Sequence, residues 1–278
     1  MTKTRLLASL VMAPVAIAAI LLLPTPWMMA LATVVLLAGL WEWFDLAEIE
    51  DGIARSILLL AHVGVMVAIV WASRWREGYT LVLFQLAAMI GIVWWLLALF
   101  WLGRHRFASD HQSYARVFKL AAAALAVIPA WCALAWIHAE EPNGNLWLLA
   151  ALAVVWAADT GAYFTGRALG RHKLAPNISP NKTIEGMVGG VVAGVLAGLG
   201  FALIAGATTE QLPAVALVAL AAVLFSVIGD LYESLLKRHV GVKDSGRLIP
   251  GHGGVLDRID GVLAALPVFA LGKALLGF

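Results

Sequence analysis

The chain is divided into apolar runs, each close to the length that crosses a bilayer as a helix. About 20 consecutive apolar residues span roughly 30 Å of hydrocarbon. Nine such runs occur, at approximately 6–23, 27–46, 56–73, 80–102, 117–138, 145–166, 184–206, 211–236 and 254–276. Because a spanning segment must satisfy its own backbone hydrogen bonds, these runs predict an all-α, polytopic membrane helix bundle with about nine transmembrane helices.

The composition supports a membrane location and excludes other classes. The chain has 278 residues, of which 62% are hydrophobic and 13% are charged, whereas about a quarter of the residues in a soluble domain are charged. A transmembrane β-barrel is excluded because its strands alternate apolar and polar residues. The first run follows Lys3 and Arg5, and we expect a retained helix rather than a cleaved signal peptide, since the run is long enough to span.

The basic residues indicate how the helices are oriented. Loops on the cytoplasmic side of a membrane carry an excess of Lys and Arg. If the N-terminus is cytoplasmic, 16 of the 19 basic residues lie on cytoplasmic segments, and the exceptions are Arg74, Arg76 and Lys273. The distribution therefore predicts a cytoplasmic N-terminus.

The two halves of the chain differ in their polar residues. Residues 1–145 contain five runs joined by short loops, without a spacing that suggests chemistry, and are predicted to be an N-terminal transmembrane scaffold. In residues 146–278, acidic side chains occur inside or at the ends of apolar helices. Two basic loops that contain glycine, 166–183 and 238–253, are predicted to face the cytoplasm. The catalytic transmembrane region is therefore predicted in the second half.

Four glycines form a stripe on the seventh run. Gly186, Gly190, Gly194 and Gly198 recur at intervals of four, which places them on one helical face and allows another helix to approach closely. The stripe predicts a packing surface, either within the bundle or across a homodimer.

An acidic residue inside the sixth run is a candidate for chemistry. Asp159 and Tyr163 are i, i+4 neighbours on one helical face. A carboxylate inside a membrane is costly and is by default a functional candidate. A structural hydrogen bond to a neighbouring helix is the alternative.

The segment from Gly166 to Gly186, GRALGRHKLAPNISPNKTIEG, mixes glycines, basic residues and small hydroxyl side chains. Backbone N–H groups at the start of the seventh helix, with Lys182 and Thr183 beside them, favour the binding of phosphate oxygens. A solvated loop on the positive side of the membrane would explain the charges, although not the glycines.

The eighth run ends in a polar stripe. Asp230, Glu233, Ser234 and Lys237 are spaced so that they share one helical face. Asp230 lies two turns inside the basic end of the helix, where a divalent cation would offset the cost of burying its charge. An ion pair with Lys237 is the alternative.

The ninth run opens with two acidic residues. Asp257 and Asp260 lie at i, i+3 on one face, just after His252. Two carboxylates this close favour a bound cation, and Mg²⁺ usually takes one or two protein carboxylates while it shares its other positions with water and phosphate. Zinc is disfavoured because neither a cysteine nor a second histidine lies at ligand spacing. Carboxylates, bases and glycines at one end of a bundle together indicate phosphoryl or nucleotidyl transfer, with a lipid as one reactant.

The segment SLLKRHVGVKDSGRLIPGHGGVLDRID, from Ser234 to Asp260, resembles the signature of the phosphatidate cytidylyltransferases, or CDP-diacylglycerol synthases, over its whole length. The upstream segment DTGAYFTGRALGRHKLAPNISPNKTIEG is also similar to that family. The first half of the chain matches only as a hydrophobic region with several helices.

The resemblance implies an integral enzyme of the bacterial inner membrane that transfers CMP from CTP to phosphatidate, with its active site facing the cytoplasm. It implies Mg²⁺ as cofactor, with room for a second ion, a homodimer, and no nucleic-acid partner. The implied catalytic residues are Asp230, Lys237, Asp257 and Asp260, of which the three aspartates would hold the metal. The implied substrate-binding residues are Ser179, Lys182, Thr183, Ser234, Arg238, Lys243, Asp244, His252, Gly253 and Arg258, with Asp159 and Tyr163 as further candidates.

Two other functions are disfavoured by the sequence. A transporter is disfavoured because transport sites lie near the midplane between repeated halves, whereas these acids cluster at one end. A CDP-alcohol transferase would carry an aspartate-rich motif, and DGIARSILLLAHVG at 51–64 echoes its opening. The aspartate expected four residues later is absent, since that position is Ala68.

Overall fold

The structure is a computed structural model that describes residues 3–75, 78–249 and 253–278. Within these residues the chain forms nine α-helices, namely α1 (Lys3–Leu22), α2 (Thr25–Leu46), α3 (Gly52–Ala72), α4 (Val82–Gly103), α5 (Ser113–Ala139), α6 (Gly144–Leu169), α7 (Ile184–Ile204), α8 (Leu212–His239) and α9 (Leu256–Leu276). Eight of the described helices, α2 to α9, are long and apolar enough to cross a membrane, and α1 contributes the shorter apolar segment Met12–Leu22. The predicted all-α, polytopic membrane bundle is confirmed.

Two short hairpins interrupt the helices. They are formed by β1 (Arg74–Trp75) with β2 (Gly78–Tyr79), and by β3 (Lys173–Ala175) with β4 (Ser179–Thr183). Both pairs are antiparallel. The second hairpin occupies most of the predicted loop 166–183, because Pro and Asn between its strands favour a tight turn. Its strand β4 leads directly into α7, so the hairpin has a fixed position on the bundle.

The start of α3 has a structural explanation. The carboxylate of Asp51 accepts hydrogen bonds of 3.1 Å from the backbone N–H groups of Ile53 and Ala54, which caps the helix. Arg55 donates a hydrogen bond of 2.5 Å to the carbonyl oxygen of Ile49. Asp and Arg of the DGIAR segment therefore serve the local fold, which accounts for the echo of the CDP-alcohol transferase motif.

The glycine stripe of α7 packs inside the bundle. All four glycines are buried. A Cβ atom at Gly190 would lie 2.8 Å from the carbonyl oxygen of Ala158, and one at Gly194 would lie 3.0 Å from that of Val154, so α6 and α7 approach backbone to backbone. Of the two predicted possibilities, packing within the bundle is confirmed. This contact fixes the position of α6, which carries Asp159, against α7.

An aromatic cluster aligns four helices near one end of the bundle. The ring of Tyr232 on α8 lies 5.1 to 5.8 Å, between centroids, from Trp43 of α2 and from Trp94, Trp95 and Trp101 of α4. The indole of Trp95 also donates a hydrogen bond of 3.2 Å to the carbonyl oxygen of Leu263 on α9. Trp43 is buried in this cluster, which holds α2, α4, α8 and α9 in register.

Candidate active site

The site begins where three helices bring carboxylates together. Asp159 of α6, Asp230 of α8 and Asp260 of α9 lie within electrostatic range of one another. A Cβ atom at Gly229 would lie 2.4 Å from the carbonyl oxygen of Asp260, so α8 and α9 touch at the residue before Asp230. Glu233, one turn further along α8, also lies within electrostatic range of Asp260. These acids therefore come together where α6, α8 and α9 approach one another, and their role in catalysis stays a prediction.

Two basic side chains face this group of carboxylates. Lys182 of β4 forms an ion pair with Asp230, and both Lys182 and the exposed Arg258 lie within electrostatic range of Asp159. The hydroxyl of Ser234 lies 3.4 Å from the carboxylate of Asp230. The hairpin thus delivers a cation to the carboxylates of α8, which local spacing in the sequence could not show.

A second group of charges lies one turn further along α8. The ammonium of Lys237 is 2.5 Å from the carboxylate of Glu233 and 2.7 Å from that of Asp257. Asp257 also accepts backbone hydrogen bonds from Gly254 at 2.8 Å and from Ser245 at 3.1 Å. The alternative ion pair between Asp230 and Lys237 is not formed, because Lys237 projects toward the start of α9.

The loop between α8 and α9 is tied to the hairpin. The guanidinium of Arg238 donates hydrogen bonds of 3.2 Å to the carbonyl oxygen of Ile178 and of 3.4 Å to that of Val242. Gly253 has φ +83°, a conformation that side chains rarely adopt. Lys243 and Asp244 are exposed on this loop, and the predicted site residue His252 lies outside the described residues. Arg238 therefore fastens the end of α8 to the hairpin and to the loop that follows it.

Three of the predicted residues have local partners. The hydroxyl of Thr183 accepts a hydrogen bond of 3.1 Å from the backbone N–H of Gly186, so Thr183 is the N-cap of α7. The hydroxyl of Tyr163 accepts a bond of 3.2 Å from Arg167 on the same exposed face. Ser179 begins β4 and is half-buried. Thr183 thus orients the start of α7, and its role toward phosphate stays a prediction.

The structure also brings in a residue from the predicted scaffold. Glu42 of α2 is only 3% exposed and reaches the loop that precedes α9. Its carboxylate accepts hydrogen bonds from the hydroxyl of Ser245 at 3.1 Å and from the backbone N–H of Leu256 at 2.8 Å. The rule applied to Asp159, that an acid within an apolar run is a functional candidate, would also have identified Glu42. The sequence alone does not distinguish it from a packing residue of the scaffold, because its partners lie in a distant segment of the chain.

The predicted metal-holding aspartates have different partners. Asp257 contacts Lys237, Asp230 contacts Lys182, and Asp260 accepts a hydrogen bond of 2.7 Å from the backbone N–H of Gly261. Across 3–75, 78–249 and 253–278, no group of three or more His, Cys, Asp or Glu side chains has metal-ligand spacing. Magnesium usually takes only one or two protein carboxylates. The assignment of the metal therefore stays a prediction.

Comparisons with known proteins cover almost the whole chain. The model of the cytidylyltransferase family matches residues 3–275. The phosphatidate cytidylyltransferase of Pseudomonas aeruginosa is 36% identical in an alignment that covers 97% of this chain and 96% of that protein. The protein of the same name from Haemophilus influenzae is 35% identical over 97% of this chain and 98% of its own length. The one from Staphylococcus haemolyticus is 33% identical over 96% and 95%.

Proposed function

The chain belongs to the cytidylyltransferase family and is an integral membrane enzyme that makes CDP-diacylglycerol, and we propose that the transfer takes place where α6, α8, α9 and the β3–β4 hairpin meet. The observation that carries this proposal is the convergence of Asp159, Asp230 and Asp260 beside the cations of Lys182 and Arg258. In this arrangement the basic side chains can neutralise the phosphates of a nucleotide, and the carboxylates can bind the cation that accompanies those phosphates.

The chemistry requires positioning more than proton transfer. An oxygen of the phosphatidate phosphate attacks the α-phosphorus of CTP, and a new P–O bond forms. The bond from that phosphorus to the bridging oxygen breaks, and pyrophosphate leaves with its electron pair. Because the attacking oxygen is already ionised, a general base is not needed, and the protein lowers the barrier by orienting both phosphates and neutralising their charge.

The basic residues are proposed to divide this work. Lys182, on the hairpin, and Ser179, in the same strand, contact one phosphate. Lys237, Arg238 and Lys243 neutralise the triphosphate and the leaving pyrophosphate from the end of α8 and its loop. Ser234, Asp244, Gly253 and Arg258 complete the substrate-binding surface.

The donor set fits magnesium. Its candidate ligands are carboxylate oxygens, which this cation prefers, and the repulsion among Asp159, Asp230 and Asp260 is relieved by a cation. We propose that Asp230 and Asp257 hold the ion, with Asp260 as a further ligand or as a partner that orients them. When bound, magnesium offsets the charge of the triphosphate and polarises the reacting phosphorus. One Mg²⁺ usually takes one or two protein carboxylates. Asp159 is a carboxylate in addition to those assigned to the first ion, and the proposal therefore includes a possible site for a second ion.

The orientation and assembly are also proposals. A site that faces the cytoplasm of a bacterial inner membrane agrees with the concentration of basic residues on this end of the helices. It also agrees with CTP being a charged, water-soluble reactant. A homodimer is proposed from the family resemblance, and cross-linking in native membranes tests it.

The decisive test of the site uses purified enzyme with labelled CTP, phosphatidate and Mg²⁺. The wild type forms a lipid-extractable cytidine product that depends on phosphatidate, and Asp257→Asn is expected to lose most of this activity. Glu140→Gln is the matched control, since Glu140 forms an ion pair of 2.7 Å with Lys273 at the opposite end of α9. Near-normal turnover of Asp257→Asn in saturating magnesium would refute the role of Asp257.

A further inference from the structure

Glu42 connects the first half of the chain to the loop that carries the family signature. The hydrogen bonds from Ser245 and Leu256 to its carboxylate join residues 203 and 214 positions apart in the chain. Both bonds end on the same oxygen, Oε2, in a buried environment. Among the described residues, the other oxygen, Oε1, is buried without a hydrogen-bond partner. A buried carboxylate oxygen without a partner is costly, which makes Glu42 a candidate for a functional role.

The loop backbone lies directly against this carboxylate. A Cβ atom at Gly246 would lie 2.2 Å from Oε1 of Glu42, and its three nearest neighbours would all be atoms of Glu42. A Cβ atom at Gly254 would lie 2.3 Å from Oε2. Two glycines of the signature are therefore explained by the side chain of a residue that is outside it.

Glu42 reaches Asp257 by two routes. The first route passes through Ser245, whose hydroxyl donates a hydrogen bond to Glu42. The same hydroxyl accepts a hydrogen bond of 3.3 Å from the backbone N–H of Asp257. The backbone N–H of Ser245 in turn donates a hydrogen bond to the Asp257 carboxylate. The second route is Leu256, whose N–H is one of the donors that the start of a helix leaves unsatisfied. A carboxylate at this position caps α9 and interacts favourably with its dipole.

We propose that Glu42 is a positioning residue for nucleotidyl transfer, which holds Ser245 and Leu256 in place so that Asp257 is presented to the reacting phosphates. The proposal rests on the proposed site at Asp257. Glu42 itself does not touch substrate. Its action passes through Ser245 and through the first turn of α9, and the predicted scaffold thereby supplies a part of the active site.

The first experiment measures kcat and KM for both substrates in Glu42→Ala and Glu42→Gln, per mole of monodisperse folded enzyme. Loss of a residue that orients a catalytic carboxylate costs about 10- to 100-fold in activity, and the loss is expected in kcat more than in KM. Glu42→Gln should lose less, since its amide oxygen can still accept both hydrogen bonds. Glu140→Gln should keep the wild-type kcat. A kcat of Glu42→Ala within about 2-fold of wild type would overturn the proposal.

A second experiment remains informative if Glu42→Ala does not fold. Gly246→Ala drives a methyl group into the carboxylate and should lower kcat with Glu42 still present. Combining it with Glu42→Asp, whose side chain is shorter by one methylene, should restore part of the activity. Independent, additive effects of the two substitutions would contradict the proposed contact.

The two proposals fail differently in these assays. Unchanged turnover in Asp257→Asn would remove the site assignment on which the role of Glu42 rests. Loss of activity in Asp257→Asn, with wild-type kcat in Glu42→Ala, would leave the site intact and refute the role of Glu42 alone.

Discussion

Replacing Lys237 by methionine tests the electrostatic account of the site most directly. The side chain of Lys237 is 10% exposed, and its partners Glu233 and Asp257 are 2% and 9% exposed. Methionine keeps the length of the side chain but removes the cation that pairs with both carboxylates. Two buried carboxylates would then repel each other across the α8–α9 contact.

The size of the effect follows from this burial. Removing one partner of a buried ion pair costs about 3–5 kcal/mol, because the remaining charge is uncompensated. The pair of Lys182 with Asp230 is a natural comparison, since these side chains are 26% and 32% exposed. A pair on the protein surface contributes only about 0–1 kcal/mol, and the Lys182–Asp230 pair is closer to that case than the Lys237 pairs are. Lys237→Met should therefore lose both stability and activity, whereas Lys182→Met should lose activity with little change in stability.

The assay is thermal unfolding in one detergent, read together with turnover per folded molecule. Adding Glu233→Gln to Lys237→Met should recover much of the lost stability, because Asp257 keeps its hydrogen bonds from Ser245 and Gly254. It should not recover the activity. If Lys237→Met unfolds at the same temperature as Lys182→Met, the charges of this site are not coupled as the distances indicate.

Three further results are expected. Gly190→Leu should lower the free energy of unfolding by about 1–3 kcal/mol or more, because the new side chain collides with α6. Gly200→Leu is the control and should be tolerated, since nothing lies within 4 Å of its Cβ position. Equal losses of stability in the two variants would contradict the described packing of α6 against α7. Asp260→Asn should lower kcat by about 10²-fold or more at unchanged folding, and wild-type rates would exclude it from the site. Chelation of divalent ions should abolish cytidylyl transfer until Mg²⁺ is returned, and persistent activity would remove magnesium from the proposal.

The membrane helices could be predicted because the information is local. A run of apolar residues must form a helix in a bilayer, whatever surrounds it, and the predicted runs 184–206 and 254–276 correspond to Ile184–Ile204 and Leu256–Leu276. The structure differs from the prediction at two places, each for its own physical reason. Helix α8 continues to His239, beyond the predicted 236, since a helix does not stop where its side chains become polar. The hairpin after α6 was missed because its strands are too short to show a period.

The sequence by itself determined the membrane bundle, the end at which the polar residues gather, and the helical face that each of them occupies, because all three depend on spacing within one segment. Only the tertiary structure decided which charges meet. Lys182 pairs with Asp230 of another helix, Lys237 with Asp257 rather than Asp230, and Glu42 with a loop 203 positions away. These pairings depend on how closely the helices approach, which is set by the glycines of α7 and the aromatic cluster around Tyr232. Packing of this kind joins distant segments, and the periodicity of one segment does not indicate which other segment it contacts.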